Sequence, residues 1–402
     1  MGAVSLEEDT GAAVSVDDID AVLAAALPPV PVRYAPLVDA LGATLVGPLV
    51  ADCALPAADT AAMDGFAVSG PGPQWTLRPG LCAAGKPAPI ALGAGEAVRI
   101  STGAPTPPGA TAVVRWEHVR TERRGRRWVV TEAPEVSRRN DIRRRGEYWC
   151  AGDELAPAGA RVDPALVSVA FSADAPIAAI RGPLRADVLI TGDEIRAPGL
   201  RAEGRVRDAL GPVLPHYLRG RDIDCRQVWR LPDDRAVLRS WFDLDTDAEL
   251  VVSVGATGRG AADGLRDVLA EIGAQILIDG VRMRPGGSQI VARLADGRTL
   301  LALPGNPLAA ISALLVTGES LVRALTGRSP SPPRWGRIAD ALALELGCTR
   351  VVPARQVDGG VWRTVGAART PHLADLLAAQ ALALLPPGSG RGALVEVLPI
   401  PQ

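Results

Sequence analysis

"VVSVGATGRGAADG", residues 251–264, runs a buried-looking strand straight into a glycine-rich turn, and the helix-like "GLRDVLAEIGAQI" follows. A turn of this kind receives an anion, because bare backbone N–H groups point into it and a helix start lies behind it. Two other stretches share the design: "ADVLITGDE" (186–194) and "TLLALPGNP" (299–307), the latter leading into "LAAISALLVTGESLVRAL". Repeated strand–turn–helix units over residues 181–327 predict a mostly parallel sheet with helices on both faces. Ligands of such sheets bind at the carboxyl ends of the strands, so all three turns should converge on one crevice.

Outward from this block the pattern changes. Towards the N-terminus, Ser15 is placed to cap a helix over "VDDIDAVLAAAL", and "YAPLVDALGATLVGPLVA" (34–51) reads as a second helix ending near Gly42, then an extended stretch. From 50 to 146 come short apolar runs broken by Pro and Gly: "DGFAVSG", "EAVRIST", "TAVVRWEHV", "RRWVVTEA". These predict a small all-β unit. It ends in "RRNDIRRRGEY", whose arginines read as a solvated face. After the proline-rich "RSPSPPRWG", short strands return with one apolar helix, "HLADLLAAQALALL". The expected architecture is multidomain, α/β and β. A helical and extended part (1–49 plus 147–180) carries an inserted β domain (50–146). A central three-layer α/β domain (181–327) and a C-terminal β domain (328–402) complete it.

Composition narrows the function classes. The 402 residues are 48% hydrophobic and 22% charged with net charge −2, a soluble globular balance that disfavours nucleic acid as partner. No uninterrupted apolar run reaches a membrane span, and "MGAVSLEEDTGAAVSVDD" lacks the basic-then-apolar order of a secretory signal. The expected location is cytoplasmic. Cys53, Cys82, Cys150, Cys225 and Cys348 are scattered with no C-x-x-C pair and read as free thiols. Lys86 is the only lysine, Asn140 and Asn306 the only asparagines, and Met63 and Met283 the only internal methionines. Arginine is thus this chain's default cation, and a retained Asn or Met is informative.

Several short motifs carry chemistry. Asp64 stands before glycine in "DTAAMDGFAV" (59–68), and "RISTGAP" (99–105) offers Thr102 and Gly103 as phosphate donors. "TGDE" (191–194) sets Asp193 and Glu194 just past a buried strand, a position for a metal or general-base carboxylate. "MRPGG" (283–287) offers Arg284 as an anion clamp, and "PGNP" (304–307) a tight turn that a ligand can approach closely. Taken singly, each also reads as a turn residue or a helix cap.

The order and spacing of "DTAAMDGFAV", "RISTGAPTPPGATAVV", "RRRGE", "VLITGDE", "VSVGATGRGAAD", "MRPGG" and "LPGNPLAA" resemble the molybdopterin molybdenumtransferase (MoeA/gephyrin) family over nearly the whole chain. The resemblance implies molybdenum cofactor biosynthesis: adenylylated molybdopterin meets molybdate, the phosphoanhydride is cleaved, AMP leaves and molybdenum joins the dithiolene sulfurs. It implies Mg²⁺, a homodimer whose cleft lies between the α/β domain of one subunit and the β domain of the other, and supply by a molybdopterin adenylyltransferase. Carried over by position, Asp64, Glu147, Asp193 and Asp263 are the expected catalytic residues, with Asp193 and Glu194 on the metal. Thr102, Gly103, Thr191, Gly192, Asp208, Gly255, Gly258, Arg259, Gly260, Arg284, Pro304, Gly305 and Asn306 are expected to bind molybdopterin. Arg284 replaces a family lysine. Tyr148 replaces an aspartate, Gly258 a serine, Ala261 an aspartate and Gly287 a lysine, while Arg259 intrudes. Ala209, Leu210 and Ala309 replace a serine, an asparagine and a serine. Two readings follow: a diverged but working transferase, or a non-catalytic molybdopterin- or nucleotide-binding relative acting as carrier, regulator or scaffold.

Overall fold

The computed structural model describes residues 13–134, 140–196, 206–258, 264–340, 347–366 and 372–401. The chain divides into two compact units, one of Met1–Gly47, Ala158–Pro164 and Ile177–Gln402, the other of Pro48–Pro157 and Ala165–Pro176.

At the centre of the first unit lies a six-stranded sheet. Its strands are β1 (Leu184–Thr191), β2 (Ile223–Leu231), β3 (Leu250–Val254), β4 (Gln275–Asp279), β5 (Ile290–Arg293) and β6 (Thr299–Leu303). Their spatial order is β2-β1-β3-β6-β5-β4. The first four run parallel, and β5 and β4 are antiparallel to their neighbours. Both faces are buried, which is why β3 and β6 read as continuous apolar runs. Val188, Val252 and Leu301 pack under the helices Ile19–Ala26, Leu214–Arg219 and Pro307–Thr326. Leu189, Val251 and Leu300 pack under the helices Arg235–Phe242 and Leu265–Glu271. This is the expected three-layer arrangement. By length and composition Pro307–Thr326 could cross a bilayer, although no uninterrupted apolar run was expected to. As it stands, 72% of its most apolar window is buried in the protein as a core helix.

In the C-terminal part, strands Thr349–Asp358, Val361–Thr364, Trp335–Ile338, Leu394–Pro399 and Ala381–Leu385 pair in that order. The last pairs back with the first, closing a barrel around Ile338, Val352, Ala383 and Val397. The second unit holds another six-stranded sheet, built on Gly65–Val68, Glu96–Ile100 and Gln74–Cys82, with buried clusters on both faces.

Three local readings are corrected. Residues 34–42 are not a helix: strand Arg33–Pro36 pairs with Ile177–Arg181, and a 3₁₀ turn, Leu37–Asp39, follows, while the extended stretch expected after Gly42 is present as strands Thr44–Leu45 and Leu49–Val50. Buried Leu37, Ala40 and Ala43 imitate helical spacing, but a distant strand captures the backbone. "HLADLLAAQALALL" is likewise a 3₁₀ segment, Leu373–Ala378, then a wholly buried strand, Ala381–Leu385. A short apolar run does not distinguish a buried strand from a helix. Ser15 donates to the Asp18 carboxylate (2.7 Å) instead of capping a helix, and a 3₁₀ turn, Val16–Asp18, precedes the helix Ile19–Ala26.

Before β2 sits an ion network. Asp222, in the left-handed region at φ +58°, accepts from Arg161 twice (2.6 Å each) and from Arg328 (2.6 Å). Arg328 also donates to Gly42 O (2.5 Å). Burial alone would raise the Asp222 carboxyl, but the guanidiniums of Arg161 and Arg328 outweigh it and hold the group below the usual carboxylate range. A depressed native pKa stabilises above the unfolded value and is lost as pH falls through the native one. Asp222→Asn tolerates the backbone but removes the charge. It should cost roughly 2–4 kcal/mol near pH 7. In urea melts across pH the gap to wild type should shrink below about pH 4. A gap independent of pH would contradict this assignment.

Candidate functional site

Strand register brings the expected turns of the first unit together. Ile190 pairs with Val254 and Val254 with Leu303, so β1, β3 and β6 end at one level. Thr191 is buried and its hydroxyl donates to Val254 O (3.1 Å). Gly255 has φ +98°, and a Cβ there would stand 2.6 Å from Thr191 Oγ1. A Cβ on Gly305 would lie 3.7 Å from Gly255 Cα. Ala256 continues the turn at φ +54°, a conformation costing an L-residue roughly 1–2 kcal/mol. Strain of that kind is concentrated at functional loops.

Two residues that the sequence reading did not single out shape this edge. Arg266, on the helix Leu265–Glu271, donates to Thr257 O (3.0 Å) and Gly258 O (2.7 Å) and is held by Asp279 (2.6 Å). It pins the carbonyls of the loop inward. Asp233 follows β2, a strand with charged residues on its exposed side that was also not foreseen. Its Oδ2 accepts the Asp193 N–H, and Asp193 Oδ1 accepts the Asp233 N–H, both at 3.2 Å. The two aspartates are thus tied to each other at the strand ends. The doublet "PDD" after an apolar-rich stretch was the available signal. The Glu194 carboxylate folds back beside Gly192, whose φ is +139°: a Cβ there would be 2.9 Å from Glu194 Oε2.

Other expected residues here are committed to the fold. The Asp208 side chain, 2% exposed, accepts from Leu210 N (3.1 Å), Gly211 N (2.7 Å) and Arg230 Nε (3.0 Å). Asn306 caps the helix Pro307–Thr326 by accepting from Ala309 N (3.1 Å), and Pro304 is buried. Arg284 is exposed, and its backbone pairs with Arg350 of the barrel. A Cβ on Gly287 would stand 2.5 Å from Met283 O, so no lysine fits there without backbone movement. Leu210 has become core, packed with Leu214. Arg259, Gly260, Ala261 and Asp263 lie outside the described residues.

The second unit assembles its own cluster. Asp64 Oδ1 accepts from Thr102 N (2.7 Å) and Thr102 Oγ1 (3.1 Å), and Gly103 N–H donates to Ala61 O (2.8 Å). The donors expected to meet phosphate are therefore used internally, and the cluster offers the exposed Asp64 carboxylate instead. Glu147 accepts from Arg144 N (2.8 Å), closing its own turn. Asp59 accepts from Arg145 N (2.9 Å) and Arg144 Nη1 (2.5 Å), tying that turn to the Asp64 segment. The Arg145 N–H and the Arg144 guanidinium hold the Asp59 carboxyl below its ordinary range. Tyr148, in place of the acid, is exposed.

Chemically, the strand-end edge combines open backbone with a tied pair of aspartates, and the exposed Arg284 stands in the segment between β4 and β5. That set suits oxyanions and a hard divalent cation. Among the described residues no group of three or more His, Cys, Asp or Glu could hold a metal, so any ion here would lean on ligand oxygens.

Comparison with known proteins agrees. The family model "MoeA N-terminal region (domain I and II)" matches residues 14–173, and "Probable molybdopterin binding domain" matches residues 187–324. "Molybdopterin molybdenumtransferase 2" of Mycobacterium tuberculosis is 30% identical over 319 residues, covering 76% of this chain and 77% of that protein. The molybdopterin molybdenumtransferase of Synechococcus elongatus is 27% identical over 359 residues, covering 83% and 85%. In fold, the chain resembles the molybdopterin biosynthesis moeA protein from Pyrococcus horikoshii, with TM-score 0.75, 19% identity and coverage of 96% and 100%. Order of motifs, convergence of the strand-end turns and these matches together place the chain in the molybdopterin molybdenumtransferase family.

Proposed function

We propose that this chain is a working molybdenumtransferase of molybdenum cofactor biosynthesis. In this reading it cleaves adenylylated molybdopterin, releases AMP and inserts molybdenum from molybdate. The observation that carries the proposal is the juxtaposition of the Gly255–Gly258 turn and the Asp193–Asp233 pair at one sheet edge. The turn receives phosphate through backbone N–H groups, Arg284 supplies the fixed positive charge and Asp64 serves as the acid of the second unit.

Asp193 and Asp233 fit a magnesium ion, which prefers one or two carboxylates completed by phosphate oxygens, and Glu194 stands next in line. When bound, Mg²⁺ neutralises charge on the phosphoanhydride. Each carboxylate accepts the other residue's N–H, so both are held in place before a ligand arrives. Asp193→Ala should lower the rate of molybdate-dependent AMP release roughly 100-fold or more while leaving the melting temperature near wild type, since the side chain is exposed. Undiminished turnover would remove Asp193 from the site. Tight substrate binding by wild type with no AMP release would instead indicate a carrier.

A homodimer belongs to the proposal. The sheet formed by Arg33–Pro36, Ile177–Arg181 and Thr44–Leu45 leaves Tyr34 80% and Ile177 62% exposed, an apolar face of the kind a self-complementary interface covers. Sedimentation should give a dimer for wild type at micromolar concentration and a monomer for Tyr34→Arg with Ile177→Arg. A wild-type monomer would overturn this part.

A further inference from the structure

The β-rich unit contains a cleft of about 750 Å³ that none of Asp64, Thr102, Gly103 or Glu147 lines. Four of its lining residues are arginines: Arg78, Arg99, Arg126 and Arg127. The single acid among them, Glu96, is already engaged by Gly93 N–H (2.9 Å) and by Arg78 (2.6 Å). Among the described residues Arg99 has no carboxylate partner, and its guanidinium carbon sits 5.5 Å from the centre of the Trp116 ring. That ring stacks on Phe66 at 5.2 Å and 14°. Cation–π support fixes the charge yet leaves the N–H donors available.

Arg126 and Arg127 sit at the tip of the hairpin made by Val119–Arg124 and Arg127–Glu132. Among the described residues neither side chain makes a hydrogen bond or ion pair. Arg127 lies directly across the hairpin from Arg124. Arg124 is itself paired with Glu122, so at this tip Arg126 and Arg127 are the guanidiniums left for a ligand among the described residues.

We propose that this cleft binds a polyphosphate group, either that of a nucleoside diphosphate or an inorganic polyphosphate, at a place apart from the strand-end edge. Guanidinium forks match phosphate oxygens in pairs, which favours phosphate over a diffuse carboxylate partner. The volume falls in the range that encloses small ligands, which argues against an extended acidic chain. Trp128, 51% exposed, lines the same cleft and gives a nucleobase a surface to stack on.

The test is calorimetric titration of the full-length chain with tripolyphosphate, ADP and hexaglutamate at one ionic strength. The variants are Arg126→Ser with Arg127→Ser, Trp128→Ala and, to weaken anion binding at the strand-end edge, Arg284→Ser. Tripolyphosphate affinity at one class of sites should fall at least about tenfold in the double arginine variant and persist in Arg284→Ser. Both arginines are exposed, so unchanged circular dichroism will show that folding is intact. ADP binding more tightly than tripolyphosphate, with the gain lost in Trp128→Ala, identifies a nucleotide as the source. Equal binding with no effect of Trp128 identifies inorganic polyphosphate. Titrations identical between wild type and the double variant, or hexaglutamate binding as tightly as tripolyphosphate, would overturn the proposal.

Discussion

Parallel pairing of β1, β3 and β6 without a stagger is the constraint on which the rest rests. With Ile190 beside Val254 and Val254 beside Leu303, three turns far apart in sequence finish at one edge. Burial on both faces enforces that register, because a one-residue slip would exchange the residues under one helical layer for those under the other. The same burial leaves few places for polar groups inside the strands. Polar chemistry is confined to the strand ends, where β2 contributes Asp233 beside Asp193.

At that edge several side chains that the resemblance expects to be polar are apolar or small. Leu210 now fills core, and Gly287 packs against the Met283 and Val281 carbonyls. Ala309 is buried one turn into the helix that Asn306 caps. At these three positions the lost polar group has been replaced by a residue that suits its packing. Arg266 holds the loop from behind by bonding Thr257 O and Gly258 O, which leaves the opposite side of the turn to a ligand. In the proposed reading, what remains is an anion site made mainly of backbone, to which Arg284 and two acids contribute.

Much of this was legible from sequence because continuous apolar runs followed by Gly-rich turns have few physical readings. The three central strands and the turns after them were read correctly for that reason. β2 escaped because an edge strand alternates charged and apolar residues, and Asp233 escaped with it. Arg266 was invisible in a chain where arginine is the default cation. Residues 34–42 and 372–385 were misread because buried alanines and leucines fit two periods, and only a partner strand decides between them. Thr102 and Gly103 were recognised as a motif, but no spacing rule shows that their donors turn inward to Asp64 and Ala61.

The central claim is that the aligned turns form one oxyanion site. A crystal structure of the chain with AMP, molybdate and Mg²⁺ tests it most directly. The account predicts phosphate or molybdate oxygens against the backbone of Gly255–Gly258, with the cation between them and Asp193. Ligand density elsewhere, with that turn left empty at saturating concentrations, would contradict it.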